Sequence, residues 1–181
     1  MTLAEALAGQ AIPPLIRPTL VLVDIEHWSF DDRPHQGQLV VHQDLAAEVG
    51  AIFDEILAVR FPIARMIPVA HYGWSDDASM ADNNSSAFNY RLVTDNSKMS
   101  WHAYGRAIDI NPRLNPYVQG EIILPPGASY DPTVPGTLAG DGLAAARKVV
   151  AAFEARGWEW GGRWTEKKDW HHFQKPTSIG Q

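Results

Sequence analysis

The sequence predicts an α+β fold in a single domain: a small, mostly antiparallel sheet with flanking helices. Three observations carry this. Two segments repeat apolar residues every three or four positions, as amphipathic helices do. Several short runs rich in Val and Ile are bounded by turn-forming residues, as strands are. Gly and Pro are frequent, at 14 and 13 of 181 residues, which favours short elements joined by many turns. The length suits one core and is short for two domains, and 45% hydrophobic residues are enough to fill it.

Taken in order, residues 1–18 contain Pro13, Pro14 and Pro18 and read as an N-terminal arm. Residues 19–176 read as the domain and 177–181 as a C-terminal tail. TLVLVD (19–24) is an apolar, β-branched run and predicts a strand. FDDRPHQGQLVV has turn chemistry in Asp31, Asp32, Pro34 and Gly37 and leads into a helix. That helix, 43–60, sets Leu45, Val49, Ile52, Ile56 and Val59 on one face and is ended by Pro62. RMIPVAHY (65–72) reads as a short strand. Residues 73–91, GWSDDASMADNNSSAFNYR, have no clear period and predict a long loop, a common seat of function. RAIDI (106–110), EIILP (121–125) and WHHFQ (170–174) predict further short strands. Between the last two, Asp141 can cap a helix that aligns Leu143, Ala146, Val150 and Phe153 and stops at Gly157.

A net charge of −6 argues against a nucleic-acid backbone or an anionic membrane surface as partner. No run approaches the roughly 20 apolar residues of a membrane span. The opening MTLAEALAGQAIPPLIRPTL lacks the basic start and unbroken apolar stretch of a signal peptide. With no cysteine, a metal site has only histidine and carboxylate to draw on.

The informative stretch is SWHAYGRAIDINP, residues 100–112. Asp109 stands between Ile108 and Ile110, where an ionised carboxylate is costly unless something positive compensates it. An arginine (Arg106 or Arg91) or a metal ion can do so. His102 lies seven residues earlier, and Gly105 permits the tight turn that brings it back toward Asp109. A hydrolytic zinc site wants three protein ligands. DWHHFQ (169–174) offers His171 and His172 for the third. In a regular strand those two point to opposite faces, so one of them is left over.

Ser100, His102, Gly105, Ala107 and Asp109 fit the pattern S-x-H-x-x-G-x-A-x-D, and Asp169 and His172 fit the D/E-x-x-H that accompanies it. The paired patterns resemble those of the D-alanyl-D-alanine carboxypeptidase and L-alanyl-D-glutamate endopeptidase family of zinc metallopeptidases, the M15 group. HQGQLVV, NNSSAFNYR, INPRLNPYV, GWEWGGRW and DWHHFQ are similar, in order, to segments of its endolysin-like branch, so the resemblance covers roughly residues 20–176. It implies a hedgehog/D-Ala-D-Ala peptidase-like fold and one zinc ion per chain, held by His102, Asp109 and His172. It further implies Asp169 as general base, Arg91 as the cation facing the oxyanion, and Ser100 as a substrate contact. His171 departs from the family, which usually has another residue there, and is left as a contact to substrate or to the ligands. Tyr90 departs too, standing where relatives often have cysteine, which bears on packing. Asp169 and His172 are three apart, so a bulge or turn near Trp170 is needed if both face one site.

The implied substrate is the stem peptide of bacterial peptidoglycan. The implied place of action is then the cell wall, periplasmic or extracellular, with the export route left open or supplied by phage-type lysis. The endolysin-like segments favour cleavage between L-Ala and D-Glu, with removal of a terminal D-Ala as the alternative. A non-catalytic zinc-bearing binding module, as in hedgehog-type domains, is a third reading, and the presence of both Asp169 and Arg91 argues against it. GWEWGGRW reads as packing in preference to a carbohydrate platform. Asp76, Asp77, Asn83 and Asn84 read as turn formers, His27, His35, His42 and His71 as non-catalytic, and Arg106 as solvated.

Overall fold

The structure, a computed structural model, describes residues 1–93 and 98–177, so of the expected tail only Thr177 lies among the described residues. Part of the segment expected as an arm packs inward. Thr2 caps a one-turn helix, α1 (Leu3–Ala6), and Ala6 and Leu7 are buried with Leu20, Val40 and Phe88 in a small apolar cluster. Strands β1 (Leu20–Trp28) and β2 (Pro34–His42) form a ribbon paired from Leu20↔His42 to Trp28↔Pro34. Its root is apolar on both sides because Ile25, Leu39 and Val41 face a second, larger core. Burial on two sides explains why LVLV and LVV show no alternation. β2 corrects the expectation of a turn running straight into a helix. The turn is confined to residues 29–33, where Ser29 N–H donates to Arg33 O at 2.9 Å. Gly37 is then a strand glycine, placed where a Cβ would come within 2.5 Å of Met66 Cβ.

Helix α2 (Ala46–Ala58) buries Val49, Ile52, Phe53 and Ile56, the face that the sequence spacing predicts. β3 is only Arg65–Met66, because Pro68 has no N–H to give a ladder and instead starts a 3-10 turn, Val69–Tyr72. The expected long loop contains α3 (Asp76–Ala81), capped by Ser75 Oγ accepting from Ala78 N–H at 3.1 Å. It also contains β4 (Asn84–Ser85), parallel to β3. The remaining strands are β5 (Ala107–Asp109), β6 (Tyr117–Gln119) and β7 (Ile122–Leu124). After helix α4 (Ala144–Glu154) come β8 (Glu159–Trp160), β9 (Lys168–Asp169) and β10 (His172–Gln174). Asp141 is not the cap of α4, which begins after an exposed Leu143 with no side-chain cap; Gly157, at φ +77°, does end it.

The strands fall into four small sheets in place of one: β1–β2, β3–β4, β5–β10–β8 and β7–β6–β9. In β5–β10, Ile108 pairs with Phe173 and Asp109 with His172. Period two sends the first pair into the core and leaves the second on the opposite face. Phe173 stacks on Phe153 of α4 with centroids 4.0 Å apart, and Phe153 meets Phe53 of α2 edge-on. Burial of each such ring contributes about 2–3 kcal/mol, so this floor is well anchored.

Candidate functional site

His102 is placed by a short turn. Ser100 Oγ accepts from His102 N–H at 3.2 Å and starts a 3-10 turn, Trp101–Tyr104. Gly105 closes it at φ +65°, where a Cβ would sit 2.6 Å from His42 N, so both conformation and space demand glycine. His102 Nδ1–H donates to the carbonyl of Ala87. Its Nε2 faces the Asp109–His172 pair, 3.1 Å from Asp109 Oδ2 and 3.2 Å from His172 Nδ1. His172 Nδ1 lies 2.9 Å from Asp109 Oδ1. The other nitrogen of His172 faces Gln174 Oε1 at 3.1 Å, and Gln174 is oriented by donating its Nε2–H to Glu159 Oε2 at 2.7 Å.

These contacts fix the tautomers. Ala87 O and Gln174 Oε1 only accept, so each ring holds its proton on the far nitrogen and turns a lone pair inward. Two lone pairs and a carboxylate therefore converge, on buried side chains whose ligand atoms all lie within 4.8 Å of one another. Acceptors this close repel unless a cation or an added proton sits among them. Two imidazoles and a carboxylate, each ring braced from behind, fit a divalent metal such as zinc. No other group of this kind occurs among the described residues. The electrostatics agree. Burial pushes the Asp109 carboxyl up, but the surrounding His102, His171 and His172 outweigh it and hold it well below the usual range. Burial likewise pushes His172 down, and Asp109 outweighs that and raises it.

Neither arginine pairs with Asp109. Arg106, expected in solvent, is only 7% exposed; its Nη1 bonds both oxygens of Asp44 at 2.9 and 3.0 Å, and its Nε–H donates to Lys175 O. Arg91 Nη2 lies 2.9 Å from Asp76 Oδ2, and Asp76 is braced by Asn89 Nδ2 at 3.2 Å. Asp76 and Asp77, expected as turn formers, instead open α3, and Asp76 is the ion-pair partner of Arg91.

Asp169 ends β9 opposite Tyr117 of β6. The break required near Trp170 is present: Trp170 and His171 form the turn between β9 and β10, and Asp169 and His172 line the same cleft. His171 Nδ1–H donates to Asn115 O at 2.6 Å, and its Nε2 lies 2.9 Å from Asp169 Oδ1. Burial pushes this imidazole down, but Asp169 and Asp109 outweigh it, so its pKa is pushed up to about 10 and the ring is an imidazolium. Asp169 is correspondingly lowered, burial being outweighed by His171.

Arg91, Ser100, His102, Asp109, Asp169, His171 and His172 all line one cleft, as do Tyr117, Trp164 and Lys167, which sequence reasoning missed. Two supports were also missed. Asn115, fully buried, presents the carbonyl that holds His171 and bonds Ile110 O, Asn111 O and Gly136 O through its side chain. Gly161 lies under Asp169, where a Cβ would be 2.5 Å from Asp169 O. The Asn-Pro pairs of INPRLNP and the Gly-Gly of GWEWGGRW were the available signals. Trp158 and Trp160 are buried, in keeping with the packing reading, whereas Trp164 lines the cleft with its ring 5.7 Å from that of His172.

Residues 94–175, which include Ser100, His102, Asp109, Asp169 and His172, match the M15 peptidase family described as D-alanyl-D-alanine carboxypeptidase. Over this stretch the chain is similar to the M15 peptidase family. No curated protein and no solved structure matches the chain. M15 peptidases are hydrolases, zinc-dependent in general, with peptide substrates in cell-wall peptidoglycan. Arg91 and Asp76 lie outside the matched M15 segment, yet they line the same cleft. Among the described residues no helix is long and apolar enough to cross a membrane.

Proposed function

We propose that this chain is a zinc-dependent peptidase of bacterial cell-wall stem peptides, acting at the wall, and that it cuts between L-Ala and D-Glu. The observation that carries the reading is the convergence of His102 Nε2, His172 Nδ1 and the Asp109 carboxylate on one point, in a cleft shared with Asp169. Those three side chains would hold one zinc ion. Zinc there would lower the pKa of a bound water from about 15.7 to about 7 and polarise the scissile carbonyl. Asp169 takes the proton of the attacking water and returns it to the leaving amine. His171, pinned between Asn115 O and Asp169, keeps that carboxylate ionised and oriented. Arg91, held by Asp76, faces the carbonyl oxygen as negative charge develops; loss of such a donor costs about 3–4 kcal/mol. Ser100 contacts substrate at the start of the His102 turn.

The L-Ala–D-Glu bond is supported by the endolysin-like segments. Removal of a terminal D-Ala is the second reading, favoured by the description of the matched family. A binding module without catalysis is disfavoured because a base and a cation both line the cleft. Digestion of purified sacculi by the zinc-loaded protein, with mass spectrometry of the new termini, tests this. New D-Glu amino termini are expected; free D-Ala would favour the second reading, and intact stems would overturn both. Asp169→Ala should keep its zinc and lose about 10²- to 10⁴-fold in kcat, the usual share of a general base.

A further inference from the structure

We infer that Lys167 is a carboxylate-binding subsite for the residue on the amine side of the scissile bond, and so sets which peptide bonds the cleft accepts. The inference rests on the peptidase reading and says what that site recognises. Lys167 directly precedes β9. Alternation along residues 167–169 sends Lys167 and Asp169 into the cleft and turns Lys168 away from it. Lys168 is occupied there, its Nζ donating to Gly162 O at 3.0 Å. Lys167 Nζ instead stands over two rings, 5.4 Å from the centroid of Tyr117 and 5.3 Å from that of Trp164. Among the described residues no carboxylate pairs with it. Trp164 also meets the ring of His172 at 5.7 Å, so one indole separates the ammonium from the floor of the cleft.

The other charges of the cleft are committed. Arg91 is paired with Asp76, and Asp109 and Asp169 are matched by histidines. The aromatic faces orient the Lys167 ammonium by cation–π attraction without neutralising it, and its N–H groups remain for an incoming acceptor. A carboxylate is the anion a peptide offers.

Both bonds considered above place one there. D-Glu is joined to the next stem residue through its γ-carboxyl, so its α-carboxylate is free beside the L-Ala–D-Glu bond. A terminal D-Ala has a free α-carboxylate in the same position. An ordinary peptide bond within a protein has a neutral amide there. A cation facing that position therefore favours stem-peptide bonds and leaves ordinary proteins without the contact.

Two matched substrate pairs test this with the zinc-loaded protein: an acyl-L-Ala-γ-D-Glu peptide against its α-carboxamide, and acyl-D-Ala-D-Ala against its C-terminal amide. The wild type should prefer the free carboxylate by about 10- to 100-fold in kcat/KM, mostly in KM, as for a hydrogen bond to a charged group. Lys167→Met should erase that preference, and Lys167→Arg should keep it. Unchanged zinc content and Tm in Lys167→Met separate lost recognition from lost folding, and the Arg variant gives a second reading should the Met variant not fold. A wild type that cleaves without regard to the carboxylate, or a Lys167→Met that discriminates as the wild type does, overturns the subsite alone. A wild type that cleaves neither pair overturns the peptidase reading and the subsite with it.

Discussion

Arg106 stands three residues from Asp109, and the two do not meet. Asp109 takes imidazole partners, while Arg106 crosses to Asp44, at the turn between β2 and α2. Nothing local in RAIDI announces that choice, because the partner is 62 residues away. The consequence is specific. Asp44→Ala leaves a guanidinium with only Lys175 O as a strong acceptor, in a side chain that is 8% exposed. Stranding a fully buried charge costs about 3–5 kcal/mol, but the Asp44 side chain is 55% exposed and solvent screens the pair, so about 1–3 kcal/mol is expected. The pH dependence has a definite sign. Burial raises the Asp44 carboxyl, and Arg106 and His42 outweigh it, so its folded pKa lies below the unfolded value. The stabilisation is present above about pH 4 and is lost as pH falls through the lower, folded pKa. Thermal melts should show a gap in Tm between wild type and Asp44→Ala that narrows in acid; a gap of constant width would contradict the pairing.

At the scale of elements, the candidate site depends on one turn and one strand pair. The turn can be tested through Gly105. Alanine there adds about 1–2 kcal/mol of left-handed backbone strain, plus about 1–3 kcal/mol for forcing apart a contact that a Cβ would close to 2.6 Å. Gly73, at φ +60° with nothing near its would-be Cβ, is the control that isolates the strain. Gly105→Ala should lower Tm more than Gly73→Ala and also weaken zinc binding, since His102 rides on that turn; equal effects on both measures would remove the turn from the account. The pattern of what the sequence disclosed follows the same physics. α2 and α4 were legible because a period of 3.6 has room to repeat, and Asp109 because a carboxylate stands out in an apolar run; period two only divided His171 from His172, and the family pattern chose His172. β6, β8 and β9 have two or three residues each, too few for any period. α3 is six residues, under two turns, and β2 was hidden because Gly37 reads as a turn until Met66 is seen against it. Asn115 acquires its role from His171 and Lys167 part of its role from Tyr117, both distant in sequence, whereas Gly161 is set by Asp169 across the connection from β8 to β9.

For the whole molecule, the question is whether the candidate metal site would need its metal in order to fold. β5 and β10 are already paired and anchored through Ile108 and Phe173 to a core supplied by α2 and α4, none of which needs a metal. His102 is fixed separately by Ala87 and by its own capped turn. The chain should therefore stay folded when zinc is stripped, unlike small zinc domains that unfold without it. Chelation should abolish turnover at temperatures where far-UV circular dichroism does not change. Zinc added back at a thousandfold excess over Kd should stabilise by about 4 kcal/mol, which for a chain of this size is about 8–16 °C in Tm. That increment must grow with pH. In the metal-free protein His171 and His172 have raised pKa values, the former about 10, and their contribution is fully present below about pH 6.5 and lost as pH rises through the folded values. Zinc needs the His172 lone pair free, so it competes with the proton held there and its effect fades as the pH falls. His172→Ala should abolish the increment at pH 7.5. An increment that survives this substitution would place the metal elsewhere, and none at all in the wild type would remove zinc from the site.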